Sequence, residues 1–369
     1  MTIFSDRYFG KTVLVTGHTG FKGTWLSLWL QNLGAKVVGV SIDVPSSPSH
    51  FDAAQIVNHI EDHRIDIRDS KALTALVEKV QPDFVFHLAA QALVRPSYVD
   101  PLETISTNAL GSANVLNALR SLSKPVVAVM ITSDKAYDNV EWIWGYRETD
   151  RLGGKDPYSA SKGMAELAIR TFVESYFSHS DSNVRVGITR AGNVIGGGDW
   201  AVDRIVPDCM EAWASGETVD IRSPQATRPW QHVLEPLSGY LCLAESLYLD
   251  NQNHGEAYNF GPSADQNYPV SELIDEMSKY WDQIKWNDVS TDTGHVHEAG
   301  LLKLNCDKAL VDLKWHSTLQ FEETVKMTVE WYKTYYQSPN QSMYDFTIDQ
   351  IEAYTKAAKL NNIGWASND

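Results

Sequence analysis

The sequence is short of cysteine, of basic side chains and of long apolar runs. Its three cysteines, Cys209, Cys242 and Cys306, stand far apart without a CxxC pair, which argues against a disulfide framework and predicts a reducing compartment, the cytoplasm. The 47 acidic side chains outnumber the 31 basic ones, and the formal net charge of −16 argues against nucleic acid or an anionic membrane as a partner. We expect neither a signal peptide nor a membrane span, because no apolar stretch is long enough.

What is present is a regular alternation of short apolar strands with helical spacing. Residues 11–17 predict a buried strand, residues 21–33 a helix that Gly34 ends, and residues 36–41 a second strand. The same pattern then predicts helix 70–80, strand 83–88, helix 101–122, strand 126–132, helix 158–177 and strand 184–189. This order predicts an α/β fold, with a Rossmann-type doubly wound parallel sheet in residues 1–192.

The pattern changes near residue 193. Shorter elements there mix with loops rich in Arg and Trp, while residues 258–261 predict a late strand. We therefore expect residues 193–369 to form mainly a smaller, partly interleaved C-terminal substrate lobe, with some segments returning to the Rossmann sheet. The polar and aromatic tail after Gln337 fits a helical extension or an oligomer contact.

A GxxGxxG turn joins the first predicted strand to the first predicted helix. Gly17 permits a tight turn, Gly20 lets the backbone approach a pyrophosphate, and Gly23 permits close helix packing. The helix N-terminus then faces the phosphates with its positive dipole end. The cofactor contacts predicted for this turn are Gly17, His18, Thr19, Gly20, Phe21, Lys22 and Gly23.

Later strand ends supply the remaining predicted cofactor contacts. Ser41 stands where a carboxylate that selects NAD is expected and Asp43 comes two residues later, so the residue pattern leaves NAD and NADP both open. Small side chains after a strand, as in the stretch HLAAQ, let a cofactor lie across the sheet edge. The predicted contacts here are Ser41, Asp66, Ile67, Leu88, Ala89 and Ala90.

Two short stretches predict the catalytic groups. Tyr158 and Lys162 are four residues apart on one helix, so they share a face, and we expect the ammonium to lower the pKa of the phenol. A phenolate held in this way can take a hydroxyl proton while a hydride leaves the same carbon. Ser133, Asp134 and Lys135 follow a strand, where ligands of such sheets bind, and they supply a hydrogen-bonding group and an acid/base pair.

These motifs together resemble the extended short-chain dehydrogenase/reductase superfamily over about residues 10–335. The resemblance rests on GxxGxxG, HLAAQ, a serine after the fourth strand, and YSASK. It implies that Ser133, Tyr158 and Lys162 form the catalytic triad of that superfamily. It also implies that Asn108, in STNALGSANVL, is a structural asparagine beside the cofactor.

Longer stretches are similar to the CDP-glucose 4,6-dehydratases: TGHTGFKGTWL, ITSDKAYDN, RAGNVIGGGDWAVDRIVPD and IRSPQATRPWQHVLEPLSGYL. The resemblance implies NAD as cofactor, CDP-glucose as substrate and a 4-keto-6-deoxy product used for 3,6-dideoxyhexoses of surface polysaccharides such as O-antigen. It further implies a homodimer or homotetramer built on helices 101–122 and 158–177. The substrate contacts it implies are Gln91, Arg95, Ser133, Asn193, Arg204, Arg228 and His297.

Two details of this assignment stay open. Lys135 stands where the dTDP-glucose branch has a carboxylate, so it is the expected C5 base, with Asp134 or water as the alternative. The tract with His295, His297 and Glu298 has strand-like spacing but no further ligand, and we expect it to close on the nucleotide without binding a metal.

Several other functions compete with this interpretation. A dehydratase of a dTDP- or GDP-activated glucose differs only in the base it recognises. A sugar-nucleotide 4-epimerase returns the hydride to C4 and does not need the acid/base pair Asp134–Lys135. A net oxidoreductase would change the external balance of the cofactor. A non-catalytic NAD-binding sensor would have no need of Tyr158 or Lys162, both of which are present.

Overall fold

The computed structural model describes residues 4–290 and 301–367, and one seven-stranded sheet organises them. Its strands are β1 (Thr12–Thr16), β2 (Lys36–Ser41), β3 (Glu61–Arg64), β4 (Phe84–His87), β5 (Val126–Ile131), β6 (Val184–Ala191) and β7 (Ala257–Phe260). The spatial order is β7-β6-β5-β4-β1-β2-β3, and every neighbouring pair is parallel. The predicted doubly wound sheet is confirmed, including the late strand, in which Tyr258 is in register with Thr189.

Alternate residues of the central strands enter two separate cores, one on each face of the sheet. On β1, Val13 and Val15 belong to one core, whereas Leu14 belongs to the other. Strands buried on both faces have continuous apolar sequences, which is why VLV and FVF predicted them without polar alternation. Strand order reverses between β1 and β4, so a crevice opens there at the carboxyl ends of the strands.

Helices cover both faces of the sheet. In the first half they are α1 (Phe21–Asn32), α2 (His50–Ala53), α3 (Ser70–Val80), α4 (Val94–Val99), α5 (Pro101–Ile105), α6 (Gly111–Leu119) and α7 (Pro157–Phe172). In the second half they are α8 (Ile205–Ala214), α9 (Leu234–Leu249), α10 (Val270–Met277), α11 (Asp307–Leu313), α12 (Phe321–Gln337) and α13 (Met343–Leu360). Short 3-10 turns lie at Phe4–Asp6, Ile56–Asn58, Asp134–Ala136 and Gly364–Ala366.

Two predicted helices contain a π-helical segment. The predicted helix 101–122 consists of α5, a π segment at Ser106–Leu110 and α6, and the predicted helix 158–177 ends in a π segment at Val173–Phe177. A π turn inserts one residue into the helical ladder and is common next to functional sites. The first of these segments carries Asn108.

The second half of the chain adds three small sheets to the main one. Val194–Ile195 pairs with Gln231–His232, Thr227–Arg228 with Tyr268–Pro269, and Val219–Ile221 with Trp286–Asp288. The tail after Gln337 forms α13, which packs on α1 through a ring contact between Trp29 and Tyr354. Across residues 4–290 and 301–367, no helix is both long and apolar enough to cross a membrane.

Candidate active site

A cavity of about 830 Å³ opens at the carboxyl ends of the central strands. It begins at the glycine turn after β1 and reaches the small sheets of the C-terminal half. The predicted site residues that line it are Gly17, Thr19, Gly20, Phe21, Lys22, Gly23, Ser41, Asp66, Ile67, Leu88, Ala89, Ala90, Gln91, Ser133, Asp134, Lys135, Tyr158, Lys162, Asn193, Arg204 and Arg228. His18, Arg95 and Asn108 lie outside this lining, and His297 lies outside the described residues.

The glycine turn lets β1, the loop after β4 and the start of α1 pack closely together. Gly17 has φ +75°, and a Cβ atom there would lie 2.6 Å from the backbone nitrogen of Ala89. A Cβ on Gly23 would lie 2.0 Å from the carbonyl oxygen of Gly17, so only glycine lets α1 start this close to β1. Helix α1 has Gly20 at its N-cap and no acidic residue in its first turn, which leaves its positive end available for an anion.

His18 supports the turn from behind. Its ring packs on Gly39 of β2, where an added Cβ atom would lie 2.4 Å away, and it bonds to Ser41 Oγ at 3.0 Å and Asp62 Oδ1 at 2.9 Å. Burial lowers the pKa of His18. The neutral ring therefore links β1, β2 and β3 under the predicted dinucleotide site and is not on the cavity surface.

The end of the cavity near β2 and β3 carries Ser41 and Asp66. Ser41 Oγ lies 3.4 Å from the backbone nitrogen of Thr19, and the Thr19 hydroxyl donates to the Asp43 carbonyl at 2.6 Å. The Asp66 carboxylate pairs with the Arg68 guanidinium at 2.7 Å, and this hydrogen bond lowers the pKa of Asp66. The Asp66 carboxylate is therefore held in place by a neighbouring cation.

Four predicted catalytic groups meet in the middle of the cavity. Tyr158 and Lys162 lie on the first turns of α7, which starts with Asp156 as N-cap and Pro157 in its first turn. The Ser133 hydroxyl donates to Asp134 Oδ1 at 2.9 Å, and it lies close enough to the Tyr158 phenol to lower the pKa of that phenol. Tyr158, Lys162, Ser133 and Asp134 are each at most 8% exposed, so their charges act in a poorly solvated site.

Burial determines the protonation of this cluster. It raises the pKa of Tyr158 to about 12, because desolvation outweighs the Ser133 hydroxyl and the positive charge of Arg204, so the expected lowering of this pKa by Lys162 is wrong for this structure. Burial also lowers the pKa of Lys162 to about 8 and raises the pKa of Asp134. A carboxyl group with a raised pKa keeps its proton longer, which is the property that a general acid needs.

Lys22 brings another cation to the same place. Its ammonium is close enough to interact with Asp134, Lys162 and Arg204, and burial lowers its pKa to about 8. Lys135 follows Asp134 in a 3-10 turn and also lines the cavity. Positive side chains are thus concentrated around the carboxyl group of Asp134, although the protein as a whole is acidic.

The predicted substrate contacts differ in their surroundings. Arg204 pairs with Asp199 at 2.7 Å and Arg228 donates to the Thr227 carbonyl at 2.8 Å, both on the cavity wall. Arg95 is instead half exposed and pairs with Asp203 at 2.7 Å. The Gln91 side chain bonds to Leu93 and Thr104, so its amide stabilises its own loop.

Asn108 connects the loop after β4 to helix α7. Its Oδ1 accepts from the Gln91 backbone at 2.9 Å, and its Nδ2 donates to the Gln91 carbonyl at 3.0 Å and to Ser161 Oγ at 2.8 Å. Ser161 immediately precedes Lys162. Asn108 therefore fixes the loop on one wall of the cavity relative to the YSASK stretch of α7.

A buried ion pair next to the predicted catalytic groups was not predicted from the sequence. Glu166 Oε1 accepts from Thr132 Oγ1 at 2.8 Å and from Arg190 Nε at 2.6 Å, and both charged side chains are fully buried. The Glu166 charge favours the protonated form of Lys162, one helical turn before it. A carboxylate four residues after Lys162 was the available sequence signal.

The sheet order, the glycine turn and the Ser133, Tyr158 and Lys162 cluster define an enzyme of the extended short-chain dehydrogenase/reductase class. The family model for GDP-mannose 4,6 dehydratase matches residues 14–328, and the chain belongs to that family. A CDP-glucose 4,6-dehydratase of Salmonella typhimurium is 46% identical over 330 residues, covering 88% of this chain and 91% of the relative. A dTDP-glucose 4,6-dehydratase of Xanthomonas campestris pv. campestris is 25% identical over 341 residues, covering 88% and 93%.

Solved structures agree with the fold. A UDP-glucose 4-epimerase from Stenotrophomonas maltophila, crystallised with NAD and formylated UDP-arabinopyranose, superposes with a TM-score of 0.75 at 21% identity. The superposition covers 88% of this chain and 98% of that one. At this level of identity the likeness concerns the fold alone.

Proposed function

We propose that this chain is a CDP-glucose 4,6-dehydratase, which converts CDP-glucose into CDP-4-keto-6-deoxyglucose and water with NAD as its cofactor. The observation that carries the proposal is the meeting of Tyr158, Lys162, Ser133 and Asp134 in a cavity that starts at a glycine turn. The relative from Salmonella typhimurium supports CDP-glucose as the substrate. The pair Asp134–Lys135 favours dehydration over 4-epimerisation, since an epimerase eliminates no water.

The glycine turn fits NAD. Gly17 and Gly23 allow the close packing of β1 and α1, a Cβ on Gly20 would meet only the Gly17 carbonyl oxygen at 3.4 Å, and the uncapped N-terminus of α1 can supply backbone N–H groups to a pyrophosphate. Leu88, Ala89 and Ala90 leave the sheet edge free for the rest of the dinucleotide. When bound, NAD would supply the acceptor for the hydride from C4 of the glucose and the donor of that hydride to C6.

Tyr158 begins the chemistry by removing the proton of the C4 hydroxyl. Its neutral phenol must first lose a proton, and the positive charge of Arg204 and the nearby Ser133 hydroxyl both lower the pKa of the phenol and thus the cost of that loss. The ammonium of Lys162 lies on the same face of α7 as the Tyr158 phenol, where it orients the sugar and the cofactor. Asp134 then donates a proton to the hydroxyl that leaves C6, which its raised pKa permits.

Lys135 is the proposed base at C5. The 4-ketone acidifies the C5 hydrogen, and removal of that proton allows water to leave from C6. Lys135 follows Asp134 directly and lines the cavity, so the two groups can serve the adjacent carbons C5 and C6. C5 is afterwards reprotonated, so the product carries one solvent hydrogen there.

Arg204 and Arg228 are the proposed contacts to the substrate pyrophosphate. Both line the cavity, and a guanidinium group matches phosphate oxygens. Asn193, between β6 and the next short strand, is the proposed contact on the nucleotide side. This arrangement supports a division into an NAD-binding part, residues 1–192, and a mainly substrate-binding part, residues 193–369.

The proposed assembly is a homodimer or homotetramer. The outer faces of the helices at 101–122 and 158–177 expose apolar side chains that a second copy could cover, namely Leu102, Leu110, Met164 and Leu167. The proposed location is the cytoplasm, in agreement with the three free cysteines. The proposed role is supply of a 4-keto-6-deoxy sugar for 3,6-dideoxyhexoses of surface polysaccharide, such as O-antigen of lipopolysaccharide.

The proposal is tested with a panel of CDP-, dTDP-, UDP- and GDP-glucose in deuterium oxide, analysed by product mass. We expect turnover of CDP-glucose with loss of one water and gain of one deuterium at C5. Turnover of another nucleotide in preference would reassign the substrate, and an isomeric product without loss of water would identify an epimerase.

A further inference from the structure

The loop at residues 196–204 forms one wall of the cavity and carries Arg204. Asp199 is the residue that orients this arginine: Oδ2 accepts from the Arg204 guanidinium at 2.7 Å, and Oδ1 accepts from the Ala201 backbone at 3.0 Å. Asp199 is 4% exposed, so its position depends on the packing beneath the loop. What lies beneath it is helix α12.

Helix α12 holds the loop at Gly197, Asp199 and Trp200. The Tyr332 hydroxyl donates to the carbonyl oxygen of Asp199. The Trp331 ring occupies the space of a side chain at Gly197, where a Cβ atom would lie 2.0 Å from it. Trp200 meets Trp331 and Tyr332 edge to face, at centroid distances of 5.6 and 5.8 Å, and its Nε1 donates to Tyr336 Oη at 3.0 Å.

Helix α13 fixes Trp331 in turn through one hydroxyl group. Thr347 Oγ1 accepts from Trp331 Nε1 at 3.0 Å, bonds to His50 Nε2 at 3.1 Å and donates to the Met343 carbonyl at 2.7 Å. A hydroxyl has one donor and two acceptor positions, so all three are used. His50 is fully buried and lines the same cavity, which places α13 in contact with the wall by a second route.

From these contacts we infer that the C-terminal segment Trp331–Thr347 positions Arg204 for the substrate, with Tyr332 and Thr347 as positioning residues. The inference rests on the proposed role of Arg204 as a phosphate contact. The segment lies beyond the residues that the family model matches. Residues more than a hundred positions after Arg204 therefore complete the binding wall.

The test compares Tyr332→Phe with Tyr354→Phe in steady-state kinetics of the full chain with CDP-glucose. Both phenols are fully buried, but the Tyr354 hydroxyl bonds to Glu235 and Ser238, away from the loop. Loss of the Tyr332 hydroxyl removes one net hydrogen bond, so KM should rise about fivefold while kcat stays within about twofold. Tyr354→Phe should lower Tm comparably and leave KM unchanged.

A double-mutant cycle shows whether the effect passes through Arg204. In an Arg204→Met background, Tyr332→Phe should change KM by less than about twofold, because the arginine that it positions is gone. A full effect of Tyr332→Phe in that background would overturn the inference, as would an unchanged KM in the single variant. Thr347→Val should raise KM in the same direction, with Thr355→Val, whose hydroxyl bonds only within α13 in the described contacts, as its control.

Failure of the inference is distinguishable from failure of the proposed function. If the wild-type protein converts CDP-glucose and Tyr332→Phe behaves like Tyr354→Phe, the function stands and the inference fails. If the wild-type protein converts no nucleotide glucose, the function fails. Hydrogen exchange of the amides at residues 196–204 then decides the inference alone, with faster exchange in Tyr332→Phe than in Tyr354→Phe expected and equal exchange contradicting it.

Discussion

The Ser133 hydroxyl donates to Asp134 Oδ1 at 2.9 Å, which ties the serine of the proposed triad to the proposed acid. The same Ser133 hydroxyl lies close enough to the Tyr158 phenol to lower the pKa of that phenol. The two ends of the proposed reaction, proton removal at C4 and proton delivery at C6, are therefore connected by one side chain. The predictions below separate these steps.

Tyr158→Phe should abolish removal of the C4 hydroxyl proton. Loss of the phenol hydroxyl removes a general base, so kcat should fall by about 10²–10⁴ with little change in Tm. The matched control is Tyr176→Phe, a partly exposed phenol in the π segment that continues α7, which should retain activity. Steady-state product formation measures both, and normal turnover by Tyr158→Phe would remove the phenol from the mechanism.

Asp134→Asn should stop the elimination of water without stopping oxidation at C4. Burial raises the pKa of Asp134, and the acid works only while protonated, so wild-type kcat should fall as pH rises through that pKa. In the variant, residual activity should lose this alkaline limb. A pH profile of kcat measures it, and an identical alkaline limb in Asp134→Asn would assign the acid to another group.

Lys135→Met should separate removal of the C5 proton from oxidation at C4. Oxidation at C4 should persist and be seen as reduction of up to one equivalent of bound NAD per site, whereas exchange of the C5 hydrogen with solvent should stop. Lys155→Met, which changes an exposed lysine that does not line the cavity, serves as the control. Full C5 exchange in Lys135→Met would exclude Lys135 as the base and leave Asp134 or water.

A separate prediction concerns stability. Glu235 is buried under the C-terminal helices, where it accepts from Thr318 and Leu319 backbone nitrogens and from Tyr354, and burial raises its pKa from 4.5 to about 7. The folded state thus binds the proton more tightly than the unfolded state, so this stabilisation is complete below pH 4.5 and is lost as pH rises through about 7. The full loss should amount to roughly 3–4 kcal/mol.

Urea unfolding of Glu235→Gln at pH 5 and pH 8 measures this effect. A neutral amide cannot ionise, so the variant should lose less free energy of unfolding than the wild type between the two pH values. The exposed Glu322→Gln is the control and should follow the wild type. A parallel decrease in Glu235→Gln would mean that another group causes the pH dependence.

The sheet and the position of the cavity could be predicted because both depend on local sequence. Apolar runs such as VLV on β1 and FVF on β4 are long enough to identify buried parallel strands, and glycine turns identify where β1 ends. The two π segments could not be predicted, because inserting one residue into a helix hardly changes the spacing of its apolar side chains.

Contacts between distant parts of the chain were the ones that sequence reasoning missed. The pKa of Tyr158 follows from burial by the whole fold, which the Lys162 spacing does not contain. His18 was expected at the cofactor, but its ring is held behind the turn by Asp62 on β3. Likewise, nothing local to Arg95 indicates that Asp203 pairs with it.

One measurement tests the central claim most directly: conversion of CDP-glucose carrying deuterium at C4, with the label located in the product by NMR. The account predicts loss of one water, a ketone at C4, and the deuterium at C6 of the same molecule. Label that remains at C4 of a sugar that has lost no water, or label released to solvent, would contradict a 4,6-dehydratase in which Tyr158 and Asp134 serve one hexose.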